Sequence, residues 1–304
     1  MLIGLVKTLR PKQWIKNIFV FAALVFDSKL LMPEPFLRTL AGFFLLCMTS
    51  GTVYLINDLA DIEKDRQHPK KRLRPLPSGK LSKGVAVAAA ILLPLVTLPA
   101  AFLLDPVFAI VLILYLLMQI AYSFRLKNIV IIDVMVIAAG FLLRVAAGIP
   151  LVDAERFSPW LYICMTLLAL LIGFGKRRHE LVLLSDQADQ HRQSLQEYNL
   201  SLLDHIISIV TASILIAYSL YTFHAPNPNL PEYREFPLMM LSIPFLLYAI
   251  FRYLYLIHVK GLGGAPEEIV LSDRPLQVSV FLWGLCAVIV MYALPWIVQN
   301  GQAP

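Results

Sequence analysis

Nine stretches of about 20 predominantly apolar residues recur along the 304-residue chain, near 12–31, 36–56, 84–104, 106–123, 129–150, 159–175, 203–223, 236–258 and 277–298. A stretch of that length crosses a bilayer as a helix, because only a helix satisfies all its backbone hydrogen bonds internally. Hydrophobic residues make up 59% of the chain and charged ones only 15%, more apolar than one soluble core requires. The expectation is an all-α integral membrane protein, a single transmembrane domain over 1–304 with nine spans. Lys12, Lys16 and Asn17 in the opening turns set the first stretch apart from a cleaved signal peptide.

Nine spans put the termini on opposite sides, and basic residues set which side is which. With the N-terminus inside, the inner segments hold four Lys/Arg in 7–16, eight in 57–83, two in 125–127, four in 176–202 and two in 260–274, which is 20 of the 26. The outer loops hold Lys29, Arg38, Arg156 and Arg234. The expected location is the cell membrane, multi-pass, with a cytoplasmic N-terminus and polar chemistry on the cytoplasmic face. The net charge of +6 then expresses topology, and nucleic-acid binding is not needed to explain it.

Cys47, Cys164 and Cys286 fall in expected spans with no paired loop spacing, so neither disulfides nor a zinc site is indicated, and the six histidines share no metal spacing. A Walker A loop, a His-Glu-x-x-His pair and a Gly-x-Ser-x-Gly elbow are all missing from the sequence.

The second stretch runs out into Asn57-Asp58-Leu59-Ala60-Asp61-Ile62-Glu63-Lys64-Asp65. At 100° per residue, Asp58, Asp61 and Asp65 fall within about 60° of one another on a helix, with Asn57 beside them. Carboxylates stacked this closely repel, so they call for a basic partner or a divalent cation with hard oxygen ligands. Magnesium takes one or two protein carboxylates and completes its shell with phosphate oxygens and water. A diphosphate substrate meets that demand. Arg66, Lys70, Lys71, Arg72, Arg74, Lys80 and Lys83 follow, interrupted by Pro69, Pro75, Pro77 and Gly79. Acid followed by base suits a metal-bound polyanion, although part of the run serves topology or contact with anionic membrane lipids.

The pattern Asn57-Asp58-x-x-Asp61-x-x-x-Asp65, then Arg72-x-Arg74-Pro75-x-x-Ser78-Gly79, resembles the first aspartate-rich motif of the UbiA superfamily of intramembrane prenyltransferases. The resemblance implies a nine-helix bundle around a central cavity open to the cytoplasmic face. It also implies that Asn57, Asp58, Asp61 and Asp65 hold Mg2+ on a diphosphate leaving group. Most members carry a second acidic motif between the sixth and seventh spans. Here that loop opens with Lys176-Arg177-Arg178; Asp186 and Asp189 follow, but Gln193 stands where a third acid would.

A substrate meeting one acidic and one basic pole should carry a metal-bound diphosphate at one end and a further phosphate at the other, the charge layout of phosphoribosyl diphosphate. Leu9-Arg10-Pro11-Lys12-Gln13-Trp14-Ile15-Lys16-Asn17, the basic triplet, Ser194-Leu195-Gln196-Glu197-Tyr198 and the segment from Gly264 through Glu267, Glu268, Asp273 and Arg274 to Leu276 together resemble the decaprenyl-phosphate phosphoribosyltransferase branch. That resemblance implies attack by a polyprenyl phosphate on C1 of the ribose, in the supply of arabinose donors for cell-wall arabinan. On this reading Arg66, Arg72, Arg74 and Lys80 contact the diphosphate, and Lys176, Arg177 and Arg178 the 5-phosphate. Lys12, Lys16, Arg125 and Lys127 draw in the acceptor head, while Asn17, Tyr122, Asp273 and Arg274 complete the candidate substrate-binding set. Asp133, placed one and a half turns into the fifth span, is a further site candidate or a structural partner of Lys127 or Arg144. Arg144 and Arg252, inside spans, have structural or acceptor-head readings.

Two other readings compete. A prenyltransferase of the same fold would move a prenyl group from a prenyl diphosphate to an aromatic acid or quinone precursor, and would be acidic in 176–193. A transporter would also tolerate intramembrane charges, but the charge here is concentrated at one face and no inverted repeat of broken spans is visible. A homo-oligomer is compatible with the sequence, which leaves the oligomeric state open.

Overall fold

The computed structural model describes residues 2–67, 71–153, 158–184, 195, 197–225, 237–264, 269–270 and 272–301. The chain forms two compact units, Met1–Phe157 and Ser158–Pro304. All regular structure among the described residues is helical. Seven helices are long and apolar enough to cross a membrane: Pro33–Ala60, Lys83–Leu104 and Pro106–Phe124 in the first unit, and Pro159–Leu183, Leu200–Phe223, Leu238–His258 and Arg274–Ile297 in the second.

The first unit opens with α1 (Leu2–Thr8), a 3-10 helix (Pro11–Phe21) and α2 (Ala22–Phe26). The expected first span is therefore not one α-helix. Pro11 supplies no N–H, and the tighter i→i+3 pattern persists for 11 residues, well beyond the usual three or four. Then come α3 (Pro33–Ala60), α4 (Ile62–Gln67), α5 (Lys83–Leu104), α6 (Pro106–Phe124) and α7 (Ile132–Gly148). Ser82 and Asp105 cap α5 and α6 by accepting from Val85 N and Phe108 N. At 17 residues, α7 is shorter than its stretch suggested. Ile131 takes φ 68°, strained for a β-branched residue, and delays the helix, so Asp133 lies in the first turn of α7 and not one and a half turns in.

α3 is the axis of this unit, packing against α5, α6 and the 3-10 helix. Val20, Leu46, Val53, Phe108, Leu112, Tyr115 and Leu151 form its main apolar core. α7 approaches the 3-10 helix so closely that a Cβ on Gly148 would stand 2.0 Å from the Val20 carbonyl oxygen. At that junction Arg144, only 6% exposed, donates from Nε to Asn17 Oδ1 at 2.9 Å and from Nη2 to Tyr115 Oη at 2.8 Å. Asn17 in turn donates to Ser50 Oγ and Cys47 Sγ of α3. Asn17 is thus a buried tie between three elements, where the sequence suggested a substrate contact.

The second unit contains α8 (Pro159–Leu184), α9 (Leu200–His224, capped by Asn199), α10 (Ile243–His258), α11 (Arg274–Val288) and α12 (Leu294–Gly301). α8 packs along α9, and α10 along α11. Trp283 donates to Tyr218 Oη, which shares a 2.6 Å hydrogen bond with Ser242, joining α9, α11 and the turn before α10. Cys164 is buried and unpaired, as is Cys47 in the first unit.

Candidate active site

The last turn of α3 brings out Asp58, Asp61 follows at the break, and α4 carries Asp65. The break is slight, since Asp61 N still bonds Asn57 O and Asp65 N bonds Asp61 O. Seven residues of helix return Asp65 to within about 20° of Asp58, while Asp61 lies about 60° to one side. The contacts follow that angle. Arg74 Nη1 reaches both Asp58 Oδ1 at 3.2 Å and Asp65 Oδ2 at 2.6 Å, whereas Asp61 is taken by Lys127 Nζ at 3.1 and 3.2 Å. Lys71 Nζ stands 3.9 Å from Asp65 Oδ1. The Asp58 and Asp65 side chains are 2% and 4% exposed; at such burial an unpaired carboxylate would be costly, and the guanidinium offsets part of that cost.

The loop 71–82 holds Arg74 in place. Leu76 and Leu81 are buried with Leu9, Leu55 and Ala86, Leu81 N bonds Pro75 O, and Gly79 makes the turn at φ 77°. A second guanidinium comes from a residue that sequence pattern does not mark as part of the site. Arg10 Nη2 donates to Asp58 Oδ1 at 2.6 Å, and its guanidinium lies 4.7 Å from the Tyr54 ring centroid. Arg10 sits between α1 and the 3-10 helix at φ 53°, ψ 63°, and Trp14 Nε1 donates to the neighbouring Leu9 carbonyl. The one local signal was the Arg-Pro step, which disfavours continuation of α1 through Arg10.

Other candidates are placed differently. Arg66 is exposed and pairs with Glu63. Lys12, Arg72, Lys80 and Arg125 are exposed, and Asn57, Lys16 and Tyr122 half-buried. Asp133 is fully buried, its Oδ1 accepting from Val134 N.

In the second unit, Lys176, Arg177 and Arg178 lie in α8. Arg177 is buried and pairs with Glu180; Arg178 donates from Nε to Asp204 Oδ1 at 2.6 Å, tying α8 to α9. His179 Nδ1 meets the Gly261 carbonyl at 2.8 Å. Asp273 receives both Nε and Nη2 of Arg252, at 3.1 and 2.9 Å, and caps α11 through Leu276 N; Arg274 is exposed. The Arg252 hydrogen bond holds the Asp273 carboxyl below the usual carboxylate range. Asp186, Asp189, Gln193, Ser194, Gln196, Glu267 and Glu268 lie outside the described residues.

Among the described residues no three His, Cys, Asp or Glu side chains stand together as a preformed metal cage. Magnesium does not need one, since one or two carboxylates suffice beside phosphate oxygens. Asp58 Oδ1 and Asp65 Oδ2 are hard donors already bridged by a single cationic nitrogen, so the donor set fits a divalent cation in its chemistry.

This chain belongs to the UbiA prenyltransferase family, whose sequence model matches residues 17–261. It is a multi-pass membrane enzyme of the transferase class. The decaprenyl-phosphate phosphoribosyltransferase of Corynebacterium glutamicum is 32% identical to it over 296 residues, covering 96% of this chain and 88% of that protein. The protein of the same name from Mycolicibacterium smegmatis is 33% identical over 292 residues, covering 92% and 90%. A UbiA homolog from Archaeoglobus fulgidus, solved with GPP and Mg2+, has the same fold, with a TM-score of 0.67 at 16% identity over 98% of this chain and 99% of that one.

Proposed function

We propose that this enzyme transfers 5-phosphoribose from phosphoribosyl diphosphate to a polyprenyl phosphate, decaprenyl phosphate being the acceptor in its relatives' names, and releases diphosphate. The observation that carries the reading is the pairing of Asp58 and Asp65 about one cationic nitrogen, in a chain that matches phosphoribosyltransferases over nine-tenths of its length.

In the reaction an acceptor phosphate oxygen bonds to ribose C1 while the bond from C1 to the diphosphate oxygen breaks, its electron pair leaving with diphosphate. A bound Mg2+ would neutralise the charge that develops on that leaving group. Asp58 and Asp65 would hold the cation, with Asn57 and Asp61 as flanking oxygens. Arg74 would turn to the diphosphate, aided by Arg66, Arg72 and Lys80. The acceptor phosphate is already ionised near neutral pH and needs no strong general base. Lys12, Lys16, Arg125 and Lys127 are assigned to its head, with Tyr122 and Asp133 near the same helix ends. Lys176, Arg177 and Arg178 are assigned to the 5-phosphate, which must compete with Glu180 and Asp204 for the two guanidiniums. We further assign the chain nine spans, a cytoplasmic N-terminus, a cavity open to the cytoplasmic face of the cell membrane, and a role in supplying donors for cell-wall arabinan.

The test is an assay of detergent-purified protein with Mg2+, radiolabelled phosphoribosyl diphosphate and a polyprenyl phosphate, following label into the lipid phase. Transfer abolished by EDTA is the expected result. Absence of transfer, with turnover of a prenyl diphosphate and an aromatic acid instead, would overturn the reading.

A further inference from the structure

Three carboxylates, Asp58, Asp61 and Asp65, face four cationic side chains, Arg10, Arg74, Lys127 and Lys71. The guanidiniums of Arg10 and Arg74 compensate Asp58 and Asp65 before any metal is considered. Asp58 Oδ1 accepts from both guanidiniums at once, at 2.6 and 3.2 Å. A free divalent cation reaching Asp58 must therefore displace two arginines and meet their repulsion. A metal that arrives with diphosphate meets the opposite situation. It brings its own compensating charge, and it offers phosphate oxygens to which displaced guanidiniums bind strongly, often through two hydrogen bonds.

The two arginines share a scaffold. Leu9, next to Arg10, is buried in one cluster with Leu76 and Leu81, which belong to the loop carrying Arg74. Gly4 of α1 rests on the Lys80 carbonyl, where a Cβ would come within 3.1 Å. Arg10 is also held at φ 53° between α1 and Pro11, a conformation that costs a non-glycine residue energy and persists only where surrounding contacts impose it.

We propose that Arg10 and Arg74 are switching counter-ions: they hold Asp58 and Asp65 while substrate is absent and pass to the diphosphate oxygens when metal and diphosphate enter together, so that free metal is excluded. The proposal rests on the metal–diphosphate reading above and assigns Arg10 a positioning role in it. Its signature is an inversion of sign. Removing a counter-ion helps free metal to bind and hinders diphosphate.

Two affinities of the detergent-purified full chain test this: that for Mn2+ alone, from the electron paramagnetic resonance of the free ion, and that for labelled diphosphate at saturating Mn2+, by equilibrium dialysis. Arg10→Gln and Arg74→Gln should each tighten Mn2+ on the order of tenfold and weaken diphosphate by a similar factor. Arg10→Lys, which keeps the charge but not the two-pronged guanidinium, should stay near wild type for Mn2+ and lose less diphosphate affinity than Arg10→Gln, which separates lost charge from misfolding. Unchanged or weakened Mn2+ binding in both glutamine variants overturns the proposal, and if Asp58→Asn still abolishes Mn2+ binding the metal site itself stands. If the wild-type protein binds no Mn2+ even with diphosphate present, the metal–diphosphate reading fails and the counter-ion role with it.

Discussion

Arg144 Nε donates to Asn17 Oδ1 across 2.9 Å, joining residues 127 positions apart in sequence. This buried guanidinium meets neutral groups: Asn17, the Tyr115 hydroxyl and the ring faces of Tyr115 and Phe141. Removing the Asn17 amide would leave a buried charge-bearing donor unmet, which costs about 2–3 kcal/mol. Asn17→Ala should therefore lower the melting temperature in detergent. Gly148→Ala should lower it further, because the added methyl meets backbone at Val20 and no side chain can turn away. A melt unchanged in both would show that the 3-10 helix does not depend on this junction.

The division of labour between the carboxylates predicts unequal losses. Asp58→Asn and Asp65→Asn remove charge from the two carboxylates that share one cation, whereas Asp61→Asn removes it from the carboxylate that Lys127 holds at the flank. We expect kcat/KM to fall by about 100-fold or more for the first two, on the scale of other lost transition-state charge stabilisation, and by no more than about tenfold for Asp61→Asn. Equal losses at all three positions would contradict the geometry.

Asp273 supplies a pH test outside the spans. Its carboxyl is held below the usual range chiefly by the hydrogen bond from Arg252, so its folded pKa lies under its unfolded one. The stabilisation is therefore complete above the unfolded value and disappears only as pH falls through the lower, folded value. Asp273→Asn keeps a competent helix cap and removes the charge. The melting gap between wild type and this variant should stay constant from neutral pH to about pH 5 and close only in stronger acid.

Periodicity carried much of this structure. Apolar length located the seven long helices, and the 100° step placed Asp58 and Asp65 on one helix face. Its limit is contact between distant segments. Lys127 reaches Asp61 across 66 positions and Asn17 reaches Arg144 across 127, and nothing local to either partner announces the other. Arg10 is not legible as a site residue, because its side chain is directed by a left-handed backbone between Thr8 and Pro11, and a left-handed arginine leaves only the following proline as a sign. The late start of α7 escaped for the same kind of reason. The positive φ at Ile131 is imposed by surroundings, since isoleucine itself disfavours it. The basic triplet is legible as charge, and Glu180 is a helical neighbour of Arg177 three residues on, but Asp204, which Arg178 meets, depends on how α8 and α9 pack.

The length of α3 sets a height. Asp58 stands 25 residues beyond Pro33, about 38 Å along the axis, while the hydrocarbon layer is about 30 Å thick. With Pro33 at one edge of the oil, Asp58 clears the other and lies level with lipid headgroups. A phospholipid-like acceptor anchored by its chain would then already carry its phosphate at the depth of the carboxylates. It could react without being drawn out of the bilayer, and only the water-soluble donor would have to travel.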